Sequence, residues 1–270
     1  MRVSDFRRVR RLGRGAEGTV WLERNRDTRE YLACKNMKAR VVVEEQPKEV
    51  WMIKNCMPDH RSLVEFVGWC WLRPRSRQRC NIYFEYCAGG DLRQLIPRRN
   101  PGRYPESFIW HVFIQLAEAL DAMHNRGTQH VVHRDVKPEN IFLKSRYRPN
   151  HTYPTIKLGD YGCASNIANT NAINCTWKYM PPEIQCSAAG DIWALGAVIH
   201  ELCHGFGPVS TRRRNWQRDP AARRPKDLPS RYSDALHHQV MSCLRTNRLE
   251  RPNSETLVRR LHGERPTAHQ

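Results

Sequence analysis

Between Asp191 and Cys203 the chain is apolar on nearly every face that a helix would show. Such a helix is stable only where other elements cover it on all sides, so this stretch predicts a lobe of helices packed around a central one. The covering helices are legible too. Ile109, Val112, Phe113, Leu116, Leu120 and Met123 recur at helical spacing until Gly127 stops them, which predicts a long amphipathic helix. Further helices are expected at Ser233–Leu244 and Ser254–Leu261, and Pro208–Pro229 is the most loop-like segment.

The N-terminal third follows a different period. Phe6–Leu12, Gly18–Glu23 and Glu30–Met37 are brief, β-rich and punctuated by glycine or by Asn-Arg-Asp turn chemistry, and strand-like runs return at Leu63–Trp71 and Asn81–Tyr86. Between them Pro47 stands where a first helical turn tolerates it, with Val50, Ile53 and Lys54 on a short helical face beyond. The expected architecture is therefore α+β and bilobal, one domain over 1–270. A β-rich small lobe with one main helix would cover about 1–86, and a larger, mainly helical lobe 87–270. A chain of this length buries a sizeable core.

Ten cysteines are scattered from Cys34 to Cys243 without a C-x-x-C pair, which argues against a zinc site and for a reducing compartment. Met1–Arg11 holds no apolar stretch long enough for a secretory signal, and runs such as Ile192–Ile199 are too short to cross a bilayer. A soluble monomer of the cytoplasm or nucleus is expected. Lys and Arg total 45 against 27 Asp and Glu, a formal charge of +18. The excess clusters at Arg7, Arg8, Arg10 and Arg11, at Arg73, Arg75, Arg77 and Arg79, and at Arg212–Arg214 with Arg218, Arg223 and Arg224. Such clusters are more often solvated surface than binding sites. They leave a nucleic-acid partner open without requiring one, and no zinc-finger, RNP-type or helix-turn-helix pattern accompanies them.

Leu12-Gly13-Arg14-Gly15-Ala16-Glu17-Gly18-Thr19-Val20 spaces its glycines as in a loop between strands whose backbone N–H groups approach phosphate oxygens. Thr19-Val20-Trp21-Leu22 continues as a strand rather than a helix, which disfavours a dinucleotide-binding turn. Ala33-Cys34-Lys35 ends a strand run fifteen residues past Val20. His133-Arg134-Asp135-Val136-Lys137-Pro138-Glu139-Asn140 is followed, twenty residues after Asn140, by Asp160-Tyr161-Gly162. Pro181-Pro182-Glu183, Asp191-Ile192-Trp193-Ala194-Leu195-Gly196 and Arg251 complete a set that stands in the order of the eukaryotic protein kinases. The sequence resembles that family, in its serine/threonine branch, along nearly the whole chain.

The resemblance implies a bilobal kinase fold, ATP with Mg²⁺ as the phosphoryl donor, and a serine or threonine hydroxyl of a protein substrate as acceptor. It implies that Lys35 holds the α- and β-phosphates, fixed by an acidic partner on the small-lobe helix; Glu49 is the choice, with Glu44 and Glu45 open. Asn140 and Asp160 match the two metal-binding positions and are hard oxygen donors suited to Mg²⁺. Asp135 would accept the proton of the substrate hydroxyl. Lys137 would steady the transferring phosphate, and Thr176, in Cys175-Thr176-Trp177-Lys178-Tyr179-Met180, would contact both. Gly13, Gly15 and Gly18 would cover the phosphates. Around the base, Phe84 is the expected gatekeeper, Glu85 and Cys87 offer backbone groups, Leu12, Val20, Ala33 and Leu143 close on the ring, and Asp91 contacts the ribose. Arg251 would pair with Glu183, and Arg134 points to activation by a phosphate, with Thr170 the chosen site.

The chain departs from the family pattern in places. Tyr161 replaces a phenylalanine, Leu32-Ala33-Cys34-Lys35 changes the usual valine and isoleucine, the interval from Glu183 to Asp191 is several residues short, and the region after Gly207 is reduced and basic. These bear on the substrate platform rather than on the phosphate chemistry. A pseudokinase scaffold is the first rival, opposed by the presence of Lys35, Asp135, Asn140 and Asp160. A zinc metalloprotease is a remote one, because His200-Glu201-Leu202-Cys203-His204 fits H-E-x-x-H, although Ser210 stands where the longer pattern has a third histidine. Glu139 and Asp91 would favour basic peptides, whereas the overall charge would recruit acidic ones.

Overall fold

The computed structural model describes residues 1–15, 18–72, 78–96, 102–126, 129–166, 176–183, 185–206 and 225–264. Thr170, Gly127, the basic cluster at 73–77 and most of the loop at 208–229 lie outside them.

Strands β1 (Phe6–Arg14), β2 (Gly18–Asn25) and β3 (Tyr31–Lys38) form an antiparallel meander. Asn25 builds its second turn, its side-chain oxygen accepting from Asp27 N at 2.8 Å and Thr28 N at 3.1 Å. Gly18 is sterically required, since a Cβ there would lie 2.2 Å from Asn36 O on the neighbouring strand. A hairpin of β4 (Val42–Val43) and β5 (Gln46–Pro47), turning at Glu44 and Glu45 with φ of 47° and 63°, leads into α1 (Lys48–Cys56). β6 (Phe66–Trp71) and β7 (Arg79–Glu85) complete a five-stranded sheet of order β1-β2-β3-β7-β6. Residues alternate between its faces. Leu32, Cys34 and Tyr83 share one face, where Phe6 stacks on Tyr83 at 4.3 Å, and Lys35 lies on the other, in reach of α1.

The strand expected from Leu63 begins only at Phe66. Val64 N instead donates to Leu158 O at 2.9 Å, so this segment pairs with the larger lobe rather than with the sheet.

That lobe is helical, as the periodicity predicts. α2 (Glu106–Asp121) buries Phe108, Trp110, Phe113, Leu116 and Leu120. It ends in a π-helical turn, Ala122–Arg126, where His124 turns toward α3 (Ala188–His204) and meets Asp191 at 3.0 Å. Ser187 caps α3, its hydroxyl accepting from Gly190 N at 3.1 Å, and every residue from Gly190 to His204 is buried. α2 and α4 (Asp234–Cys243) pack on this centre, and α5 (Ser254–Glu264) packs on α2 and α4. Between α2 and α3 come the short strands β8 (Val131–Val132), β9 (Ile141–Leu143), β10 (Ile156–Leu158) and β11 (Ser165–Asn166). β9 pairs with β10 and β8 with β11, bracing the loops that carry the His-Arg-Asp and Asp-Tyr-Gly motifs. Among the described residues no helix is long and apolar enough to cross a membrane.

Arg251 ties the chain's far end to α3. Both terminal nitrogens donate to Glu183 at 2.7 Å, and the guanidinium lies over the Trp193 ring at 5.0 Å. Removing one partner of a buried pair costs about 3–5 kcal/mol. Arg251→Ala is therefore expected to lower the melting temperature by roughly 10 °C, measured by differential scanning fluorimetry; an unchanged Tm would show that the pair carries no stability.

Candidate active site

β3 delivers Lys35 beneath the sheet with only 8% of its surface exposed. Its ammonium donates to both Glu49 oxygens on α1, at 3.0 and 3.2 Å, and to Asp160 Oδ1 at 2.9 Å. Glu49 is thus the residue that meets Lys35, whereas Glu44 and Glu45 form the preceding turn.

Asp160 adopts φ 63° and ψ 75°, a left-handed conformation that costs a side-chain-bearing residue on the order of 1 kcal/mol or more. Neighbouring contacts hold it there. Gly159 N donates to Asn140 O at 2.9 Å, Gly159 O lies 3.1 Å from His133 Nε2, and the buried Tyr161 hydroxyl is 3.0 Å from both Val64 O and Leu158 O. Tyrosine in place of phenylalanine thus adds a hydrogen bond that fixes the loop. Burial opposes the Asp160 charge, but Lys35 outweighs it and holds the carboxyl below its usual range.

The loop of Asp135 is a closed set of hydrogen bonds. Asp135 Oδ1 accepts from Thr176 Oγ1 at 2.7 Å and Thr176 N at 3.3 Å. Its Oδ2 accepts from Lys137 and, at 3.1 Å, from Asn140 Nδ2, and Lys137 also donates to Thr176 Oγ1 at 3.1 Å. Asn140 Nδ2 reaches Asp135 O at 2.8 Å as well, which occupies the amide nitrogen and leaves the amide oxygen as the available ligand atom. Asp160 has 41% of its side chain exposed, and its Oδ2 accepts no hydrogen bond among the described residues. One carboxylate and one amide oxygen on adjoining loops fit a Mg²⁺ ion that completes its shell with phosphate and water.

The cleft wall holds a correction. Leu143, expected against the base, has no exposed surface and belongs to the core. Alternation along β9 turns Ile141 and Leu143 inward, so the half-buried Phe142 is the side chain left on the opposite face. All three residues of the strand are apolar, so the sequence carries no alternation that separates Phe142 from Leu143. Leu12, Val20 and Ala33 are half-buried, Cys87 is buried, and Phe84 packs against the rings of Phe66 and Tyr161. The Glu85 carboxylate accepts from Glu65 N at 2.9 Å and pairs with Lys144 and Lys157, while its own N–H donates to Glu65 O at 3.0 Å, so the side chain is not left for a ligand. Asp91 caps the turn Leu92–Gln94, accepting from Gln94 N and Nε2 at 3.1 Å. A Cβ on Gly13 or Gly15 would meet nothing within 4 Å, so the packing does not require glycine there and the space lies open.

The family described as protein kinase domain matches residues 6–261. The chain belongs to the protein kinase domain family. It is 28% identical over 275 residues to the serine/threonine-protein kinase Nek2 of Mus musculus, an alignment covering 95% of this chain and 59% of that protein. With the G2-specific protein kinase nimA of Emericella nidulans it shares 33% identity over 221 residues, 68% of this chain and 30% of that one. With the serine/threonine-protein kinase ATG1a of Arabidopsis thaliana it shares 28% over 265 residues, 92% and 40%. The chain spans less than two thirds of the length of each of these relatives.

In this kinase domain the H-E-x-x-H groups are otherwise engaged. His200 Nε2 lies 2.8 Å from Lys226 O, and His204 Nε2 lies 2.9 Å from Asp227 O. Glu201 accepts from Arg93, Lys178 and Tyr179 on another side of α3. Among the described residues no group of three or more His, Cys, Asp or Glu side chains is arranged to hold a metal. Burial, and after it the neighbouring His204, pushes His200 down to about 4. An unfolded histidine titrates near 6.5, so the stabilisation is complete above that pH. It is lost as pH falls toward 4, because the unfolded chain then binds a proton that the folded chain refuses. Melting temperatures should fall with acidification between about pH 6.5 and 4, and His200→Gln should flatten that slope. A melting temperature raised by stoichiometric zinc would instead favour the metal-site reading.

Proposed function

We propose that this domain transfers the γ-phosphoryl group of ATP to a serine or threonine hydroxyl of a protein substrate. One observation carries the reading: contacts run from Glu49 through Lys35 to Asp160, and from its chain neighbour Gly159 to Asn140 and Asp135. They link a cation for phosphate, two metal ligands and a proton acceptor around one cleft. The relatives above bear serine/threonine-protein kinase and protein kinase names, which agrees with it.

In this reading Lys35, immobilised by Glu49, presents its ammonium to the phosphates at no cost in reorganisation. Mg²⁺ held by Asn140 and Asp160 would neutralise charge on the phosphate oxygens. Leu12, Val20, Ala33 and Phe142 enclose the base, with backbone groups of Glu85 and Cys87 beside it and Asp91 near the ribose. Asp135 accepts the proton of the acceptor hydroxyl as its oxygen forms the new P–O bond and ADP leaves. The hydroxyl of Thr176 already donates to Asp135 at 2.7 Å, the contact a substrate alcohol would make. Lys137, next to that oxygen, offers positive charge to the group in transit.

A reaction with Mg-ATP on an arrayed peptide library, followed by phosphoamino-acid analysis, tests the reading. Wild type is expected to yield phosphoserine or phosphothreonine. Asp135→Asn should lose about 10²–10⁴-fold in kcat with nucleotide affinity within about threefold, since Asp135 acts on the acceptor. Glu49→Gln should instead raise the KM for ATP, because Lys35 loses its charged anchor. A folded wild type that binds nucleotide but transfers no phosphate would establish the scaffold reading instead.

A further inference from the structure

Arg93 lies in the short turn that Asp91 caps, yet its guanidinium reaches three distant elements. Nε donates to Glu139 at 2.8 Å. Nη1 donates to Glu201 Oε1 at 2.8 Å, and Nη2 to Glu201 Oε2 at 3.4 Å and to the Tyr179 hydroxyl. Glu139 belongs to the loop of Asp135, between Lys137 and Asn140, and Glu201 comes from α3. Tyr179 closes a 3₁₀ turn on Thr176, its N–H donating to Thr176 O at 3.0 Å. Glu139 and Tyr179 each stand within a turn of 3₁₀ helix, about 6 Å of rise, of groups that touch Asp135. This cluster therefore borders the path that an acceptor segment must take to Asp135.

The charges within it balance: Glu139 and Glu201 against Arg93 and Lys178. Burial alone would raise the Glu201 carboxyl, but hydrogen bonds from Arg93, Lys178 and Tyr179 outweigh it and hold it below its usual range. Glu201 has 1% of its surface exposed, whereas the Glu139 and Arg93 side chains are 46% and 31% exposed. Two carboxylates are thus spaced to take a forked guanidinium from the solvent side, and the chain's own Arg93 shows what chemistry fits. Asp91, the other acidic group expected to recruit basic peptides, is satisfied by Gln94.

We propose that Arg93 is a specificity-determining residue: seated between Glu139 and Glu201, it denies that site to a basic side chain of the substrate. Resting on the kinase reading, this assigns the domain to acceptor segments without an arginine or lysine at that place. A charge that repels or displaces the wrong partner is a common source of specificity.

The test compares kcat/KM for peptide pairs that differ only by Arg or Ala at each position flanking the acceptor. Wild type is expected to distinguish them by less than about threefold. Arg93→Ala should prefer the arginine peptide by about tenfold or more at one position, chiefly through KM, and free guanidinium ion should compete with that peptide in the variant alone. Glu139→Gln, with Arg93 in place, should raise the rate on peptides carrying glutamate at the same position; this arm decides the matter if Arg93→Ala does not fold. A wild type that already favours arginine tenfold, or variants that are active with wild-type ratios, would overturn the proposal while leaving the kinase reading intact. A wild type that phosphorylates none of the peptides overturns both.

Discussion

A carboxylate buried at the centre of a helical lobe is costly unless its lone pairs are matched by donors. Asp191 meets that condition in a way that organises the domain. Its two oxygens accept from His133 N at 2.8 Å and Arg134 N at 2.9 Å, and His124 Nε2 lies 3.0 Å from one of them. The backbone of one loop and the π turn after α2 are thereby fastened to α3. Arg134 is held at φ 71°, a conformation that a free loop would leave. The cost of the buried charge and that of the unusual backbone are met by one set of hydrogen bonds.

The constraint passes outward from there. His133, placed by Asp191, lies through its ring nitrogen against Gly159 O, which precedes the left-handed Asp160. Asn140, at the end of the same loop, accepts Gly159 N through its carbonyl. Asp160 thus takes its position from the larger lobe and pairs with the smaller one through Lys35. Lys35 in turn depends on Glu49 and so on the seating of α1. Rotation of that short helix would break this line of contacts, because Glu49 stands in its first turn and alone joins it to Lys35 among the contacts given above. The order of dependence runs from the buried helical centre outward to α1.

The parts legible in the sequence are those in which composition and period act locally. α3 announces itself by being apolar all round, α2 by its stripe, and Lys35, Asp135, Asn140 and Asp160 by motifs whose spacing is set by tight loops. What the sequence hides depends on parity or distance. Leu143 and Phe142 differ by one position in a three-residue strand, too short for alternation to stand out. The sequence favours Glu49, but setting Glu44 and Glu45 aside requires knowing that these two consecutive left-handed residues make a turn before α1. Leu63 looks like the start of a strand because it is apolar, yet its pairing is with Leu158 across the chain. Arg93 gives no local signal, since its partners are 46, 86 and 108 residues away.

The H-E-x-x-H stretch makes the same point from the other side. Spacing of i and i+4 guarantees that His200 and His204 share a face of α3, and their rings indeed lie 4.3 Å apart. It does not decide what that face meets. In this domain it meets backbone carbonyls of Lys226 and Asp227, so the two rings anchor the return of the chain toward α4. Glu201, about 100° around the helix, faces away from that return and gathers Arg93, Lys178 and Tyr179 instead. One run of five residues therefore serves two separate structural ends. The carboxylate that a metalloprotease would use as a base is here the fixed charge that draws Arg93, Lys178 and Tyr179 together.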